Sequence, residues 1–149
     1  NKKIGTIIGG SERDGERVKE KFLRATPSLR RLREKVERVA QRRWVRGLDQ
    51  RKIIIRHPHA ALNTLLQGAG ACVMKKALTL LQEYVINKQI KAFPVVNVHD
   101  EFQYEVQEDR ADEFGRLAVQ SIIDAGKQLN VRCQLNGEYK IGNNWSETH

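Results

Sequence analysis

The sequence predicts an α+β fold, and three observations carry that reading. Apolar residues recur at three-and-four spacing in several separate stretches, the longest from His59 to Asn87, as amphipathic helices require. Two stretches rich in β-branched and aromatic residues, Arg42–Pro58 and Phe93–Val106, are each broken by turn residues and read as hairpins. With 149 residues and 40% hydrophobic content, the chain is long enough for one compact domain with a real core, or for part of a larger one.

The first helix is expected in SERDGERVKEKFLRA. Ser11 suits the N-cap, Val18, Phe22 and Leu23 keep helical spacing, and Thr26–Pro27 stops the run. SLRRLREKVERVAQRR repeats the pattern with Ser28 as cap and Leu29, Leu32, Val36, Val39 and Ala40 as its apolar stripe. Its dense Arg/Lys/Glu face reads as a solvated surface or as an anion-binding one. RRWVRGLDQRKIIIRHP then gives a hairpin around a Gly/Asp turn. In the long helix, the stripe is Leu62, Leu65, Leu66, Ala69, Val73, Ala77, Leu80, Leu81 and Tyr84. Gly68 and Gly70 interrupt it, each costing about 1 kcal/mol relative to Ala, which asks for a close backbone or ligand. His59, Asn63 and Gln67 fall at i, i+4 and i+8 and make a polar file, which by spacing alone is an ordinary solvent-facing one. Strands are expected near Phe93–Val98 and Phe102–Val106. EDRADEFGRLAVQSIIDAGKQL reads as a last amphipathic helix, VRCQLN as a strand, and GEYKIGNNWSETH as a Gly/Asn-rich tail carrying Trp145. No internal repeat is visible.

Charge is distributed unevenly. The formal net charge is +9, with 18 Lys/Arg against 7 Asp/Glu in residues 1–60 and 9 against 11 in residues 61–149. Such a basic segment fits DNA or RNA. It fits an anionic membrane less well, because no stretch reaches the roughly 18 apolar residues of a spanning helix, and no secretory signal is visible. Cys72 and Cys133 lie in apolar contexts without zinc-site spacing, so buried thiols in a reducing cytosol are expected. The chain opens on Asn1 and its one Met is Met74, which points to a piece of a longer polypeptide.

FPVVNVHDEFQYEV sets a physical problem: His99, Asp100 and Glu101 stand together inside a run that otherwise reads as buried strand. Desolvating a carboxylate is expensive unless a proton, cation or metal compensates it. The hairpin reading places the acids at a turn, outside the core.

PHAALNTLLQGAGACVMKKAL, followed about twenty residues later by VHDEFQYEV, resembles the family A DNA polymerases of the polymerase I type, especially the branch of short-tailed bacteriophages. The first run is similar to the helix that the family lays along the template–primer, with Asn-x-x-x-Gln-Gly at Asn63, Gln67 and Gly68. The second resembles motif C, the His-Asp-Glu hairpin of the palm. KKIGTIIGG and the charged helices behind it resemble part of the fingers, RRWVRGLDQRK the next hairpin, and the tail with Trp145 and His149 the family's C-terminus. His59 stands where most bacterial members place Arg, in agreement with the phage branch, and the stretch before motif C is shorter than in some phage relatives.

The resemblance implies a C-terminal fingers-and-palm portion of a right-hand polymerase: residues 1–46 as a basic helical fingers segment, and residues 47–149 as the palm portion with the long helix and the antiparallel motif C hairpin. It implies addition of deoxynucleoside triphosphates to the primer 3′ end during DNA replication. Two Mg²⁺ ions suit that in-line attack, and hard Mg²⁺ takes carboxylate oxygens. Asp100 is the implied metal ligand, His99 a contact of the primer-terminal backbone, and Glu101 an assisting carboxylate or a solvated turn residue. His59, Asn63 and Gln67 would contact primer–template DNA, where donors check minor-groove acceptors shared by correct pairs. The family's second metal-binding Asp (motif A) and its triphosphate-binding motif B have no counterpart here, so the chain alone is expected to be catalytically incomplete. A cytoplasmic location, in a bacterial cell with a phage or prophage source, follows from the same resemblance; it is silent on a processivity partner. Two rival readings are a non-catalytic DNA- or RNA-binding module, which the basic segment fits equally well, and a metal-dependent nuclease, which lacks a second acidic cluster.

Overall fold

The structure is a computed structural model and describes residues 1–148; His149, assigned above to the tail, lies outside the described residues. The chain divides into two compact units, Asn1–Val45 with Lys52–Thr64, and Arg46–Arg51 with Leu65 and the described residues beyond it.

The first unit begins with a helix that the sequence pattern did not disclose, α1 (Lys2–Ile7). Its residues include β-branched side chains and Gly5, none of which favours a helix, so the packing against α2 (Glu12–Ala25) supplies the reason. Gly5 and Gly15 are both buried at that contact, and a methyl on Gly5 would run into the Ser11 carbonyl. Ser11 caps α2 as expected: its Oγ accepts from the Asp14 N–H at 3.3 Å, while Asp14 Oδ2 accepts from the Ser11 N–H at 2.9 Å. The Ser11 side-chain hydrogen bond holds the Asp14 carboxyl below its ordinary value.

Helix α3 (Pro27–Ala40) starts one residue before the expected cap. Pro27 occupies the first turn, where its missing N–H costs nothing and its fixed φ suits a helix; Thr26 is therefore the boundary, and Ser28 lies inside. Val36 and Ala40 are buried, whereas Val18, Phe22 and Leu32 remain substantially exposed. Strands β1 (Trp44–Arg46) and β2 (Lys52–Ile54) form the expected two-stranded hairpin, prolonged by the Ile55 N–H donating to the Arg43 carbonyl at 2.9 Å. A short 3-10 turn, Pro58–Ala60, then leads into α4 (Ala61–Lys88).

In the second unit, α4 buries Met74, Ala77, Leu80, Leu81 and Val85. Leu66, placed on the stripe by spacing, is 60% exposed. Gly70 has open space where a Cβ would stand, so close packing within the described residues is not its reason. Strands β3 (Ala92–Val98) and β4 (Glu101–Val106) pair antiparallel from Ala92↔Val106 to Val98↔Glu101, with a bulge between Pro94 and Val96. Proline cannot donate to the ladder, and a bulge beside it accommodates that loss. Phe102, Tyr104 and Val106, two apart along β4, pack on the cluster of Leu81, Val85, Ile90, Phe114 and Ala118.

Helix α5 (Ala111–Gln128) completes this core, with Ala125 against Ala77 and Leu80. Tyr84 Oη donates to Asp124 Oδ2 at 3.0 Å and ties α4 to α5. The segment beyond is not the expected strand: residues 131–144 carry no ladder, and α6 (Trp145–Thr148) follows. Its apolar side chains lie on α5 instead, with Leu135 over Gly126 and the Tyr139 ring over Gly115, where a methyl would collide with it. Tyr139 Oη donates to Asp112 Oδ1 at 2.6 Å. Cys133 is therefore exposed and Cys72 only half-buried, in contrast to the expected buried thiols.

Candidate active site

Val98 and Glu101 close the β3–β4 ladder, leaving His99 and Asp100 as a two-residue turn. His99 takes a left-handed backbone, φ 53°, a conformation in which His is enriched among non-glycine residues. The acids thus sit at a strand tip, and the solvation problem posed by the sequence does not arise for Asp100. That residue is exposed and makes no hydrogen bond or ion pair with any described residue. Glu101 is half-buried and accepts from Gln103 Nε2 at 2.6 Å.

Aromatic packing fixes the strand that carries the tip. Phe102 and Tyr104 meet edge to face at 6.0 Å, and Tyr104 lies 4.9 Å from Phe114 on α5. Burial pushes the Tyr104 phenol above its ordinary value, so the ring enters this contact neutral. A pocket of about 430 Å³ opens beside the tip, lined by Asp100, Glu101, Tyr104, Phe114, Tyr139 and Lys140 among others. The sequence reading singled out none of its tail residues; Gly115 and Gly126, spaced along α5 under the tail, were the available sign.

His59 lies in the 3-10 turn before α4, not within the helix, and its ring stacks on that of His57 at 5.6 Å. Asn63 and Gln67 follow one helical turn apart in α4, and both are exposed. The structure therefore gathers His99, Asp100 and Glu101 at one turn and strings His59, Asn63 and Gln67 along another segment. Among the described residues no group of three or more His, Cys, Asp or Glu side chains stands ready to hold a metal ion. The donors at the tip are carboxylate oxygens, the type Mg²⁺ takes, but they make only part of a coordination shell. No helix among the described residues is long and apolar enough to cross a membrane.

The fold is similar to that of a solved structure. It matches the POL domain of Pol1 from M. smegmatis in complex with DNA primer-template and dNTP, with a TM-score of 0.74 at 19% identity, over 81% of this chain and 24% of that one. The DNA-directed DNA polymerases of Enterobacteria phage T3 and Escherichia phage T7 are 36% and 35% identical to it, over the whole of this chain. The sequence profile of DNA polymerase family A matches residues 4–147. This chain belongs to DNA polymerase family A. It spans 24% of the length of each of those two phage relatives.

Proposed function

We propose that this chain is the fingers-and-palm portion of a DNA-directed DNA polymerase that extends a primer 3′ end by metal-assisted nucleotidyl transfer in DNA replication. The observation that carries the reading is the exposed Asp100 carboxylate on a packed hairpin tip, in a chain of family A. Residues 1–46 are the fingers part and residues 47–149 the palm part. The partners are primer–template DNA and a deoxynucleoside triphosphate, and the setting is the cytoplasm of a bacterial cell, with a phage or prophage source.

Asp100 offers oxygens to Mg²⁺ without first breaking a contact to any described residue. Two bound Mg²⁺ would lower the pKa of the primer hydroxyl and stabilise the leaving pyrophosphate. The remaining carboxylate donors would come from outside this chain, in keeping with the partial set at the tip. Glu101, held by Gln103, assists from the same turn, and His99 meets the primer-terminal backbone. Asn63 and Gln67 present exposed amide donors suited to minor-groove acceptors, with His59 before them. The charge of residues 1–60 also supports a plain nucleic-acid-binding module, and extension separates the two readings. Primer extension by the protein as encoded, abolished by Asp100→Asn and absent from residues 1–149 alone, is the expected result. Extension that survives Asp100→Asn would falsify this site.

A further inference from the structure

The positive charge of residues 1–60 does not stand ready for an anion everywhere. On α2 and α3 much of it is already answered by acids one turn away: Arg17–Asp14, Arg24–Glu20, Arg30–Glu34 and Arg33–Glu37 pair at 2.8–3.2 Å. Residues 11–41 hold ten cations against six acids, whereas residues 42–57 hold six against the single Asp49, which Arg51 occupies. Charge left over for a ligand is therefore densest on the β1–β2 hairpin.

Its arrangement there is organised by one ring. The Arg42 guanidinium carbon lies 3.9 Å from the centroid of Trp44, and Lys52 Nζ lies 4.9 Å from the same ring. Arg42 Nε also lies 3.4 Å from the Trp44 carbonyl. Arg43, Lys52 and Arg56 are exposed and have no acidic partner among the described residues. A cation–π contact differs from a salt bridge in a way that matters here. The ring quadrupole restricts a cation's position and leaves its net charge and outward N–H donors intact. Trp44 is half-buried in a strand, so the cations it orders are held on a fixed base.

We propose that the Trp44 hairpin is a clamp for the phosphodiester backbone of nucleic acid, with Arg42 and Lys52 as phosphate contacts and the Trp44 ring as the part that positions them. This rests on the polymerase reading and deepens it by naming the segment that grips the DNA backbone. Because a phosphate contact reads no base, the clamp is indifferent to sequence.

The test is equilibrium binding of a labelled primed duplex to the protein as encoded, across a salt series, with thermal unfolding of each variant alongside. Each of Arg42→Gln and Lys52→Gln should make the log–log salt slope shallower by about 0.9 and weaken binding about eightfold at 0.1 M salt, the share of one released counterion. Trp44→Ala should weaken binding about threefold with both charges present, and Trp44→Phe should restore it, because the ring is needed only as a face. Arg30→Gln, whose cation is matched by Glu34, should leave the slope unchanged. A double Arg42→Gln/Lys52→Gln variant with the unsubstituted slope overturns the proposal. So does an equal loss in Arg30→Gln, which would make the contact diffuse. Arg42 and Lys52 are exposed, so their variants fold even where Trp44→Ala does not. Extension by the unsubstituted protein tests the polymerase reading and the slope tests the clamp, so each can fail alone.

Discussion

Replacing Asp100 by Asn separates chemistry from stability, because the structure gives that carboxylate no described partner to lose. It is exposed at a two-residue turn, and Asn is nearly isosteric, so unfolding stability should change by less than about 0.5 kcal/mol, the usual range for a surface position. Relief of repulsion from the adjacent Glu101 favours a small rise. The rate has more to lose. Removing one neutral donor from a preorganised site costs about 10²–10³ in kcat, and removing a formal charge where a metal would bind should cost at least that. Glu101→Gln is the internal comparison: its amide oxygen can still accept from Gln103, now 2.6 Å away, so about 1 kcal/mol of hydrogen-bond strength is at stake, less than tenfold in rate. The assay is single-turnover primer extension by the protein as encoded, at saturating DNA and nucleotide, over a Mg²⁺ series. DNA affinity should persist, since the net positive charge lies in residues 1–60, with 18 Lys/Arg against 7 Asp/Glu. Near-normal extension by Asp100→Asn at low Mg²⁺ would mean that the carboxylate is not a metal ligand and that the hairpin has another purpose.

Asn63→Ala and Gln67→Ala should raise misinsertion without lowering the melting temperature, because both side chains are exposed; the reverse pattern would make them structural. His99→Ile should cost about 1–2 kcal/mol in thermal unfolding, as a β-branched residue resists a φ of 53°, while His99→Gly should be tolerated. Tyr84→Phe should lower stability by about 1 kcal/mol through the lost Asp124 hydrogen bond. Hydrogen bonds from Gln120, then Lys127 and Tyr84, hold the Asp124 carboxyl below its ordinary value, so its contribution is complete above the ordinary carboxylate pKa and is lost as pH falls through the lowered one. Melting curves of Asp124→Asn and the unsubstituted protein should therefore converge on acidification below about pH 4. Burial, with the Asp124 bond second, raises the Tyr84 phenol, so that side of the pair persists at neutral pH and is lost only as pH rises beyond about 10.

Helices α2 to α5 and both hairpins were legible because their residues advertise local geometry: a capping residue at Ser11, apolar spacing through α4, turn residues between short β runs. The His99–Asp100 turn was legible for the same reason, since a two-strand reading leaves it no other place. The misreadings share a cause. α1 went unassigned because its residues favour a helix poorly, and VRCQLN looked like a strand because it alternates. In each case the deciding partner lies in a neighbouring element, beyond the few residues that local propensity reads: Gly15 of α2 for the one, Gly115 and Gly126 of α5 for the other. Leu66 kept helical spacing but lies exposed, since spacing fixes a face and not what covers it.

By itself the sequence determined the order of α2 to α5 and the two hairpins, the basic character of residues 1–60 and the His-Asp-Glu triplet at positions 99–101, all properties of residues or of near neighbours. The tertiary structure alone decided which charges are available to a ligand. Arg30 and Arg42 are identical in composition, yet one faces Glu34 and the other lies on the Trp44 ring. It also decided that Asp100 makes no hydrogen bond or ion pair with a described residue and that residues 131–144 carry no ladder and rest Leu135 and Tyr139 on α5. The physical reason is range: dihedral preference and periodicity act over a few residues, whereas burial, ion pairing and ring contacts depend on atoms that only the folded chain brings within a few ångströms.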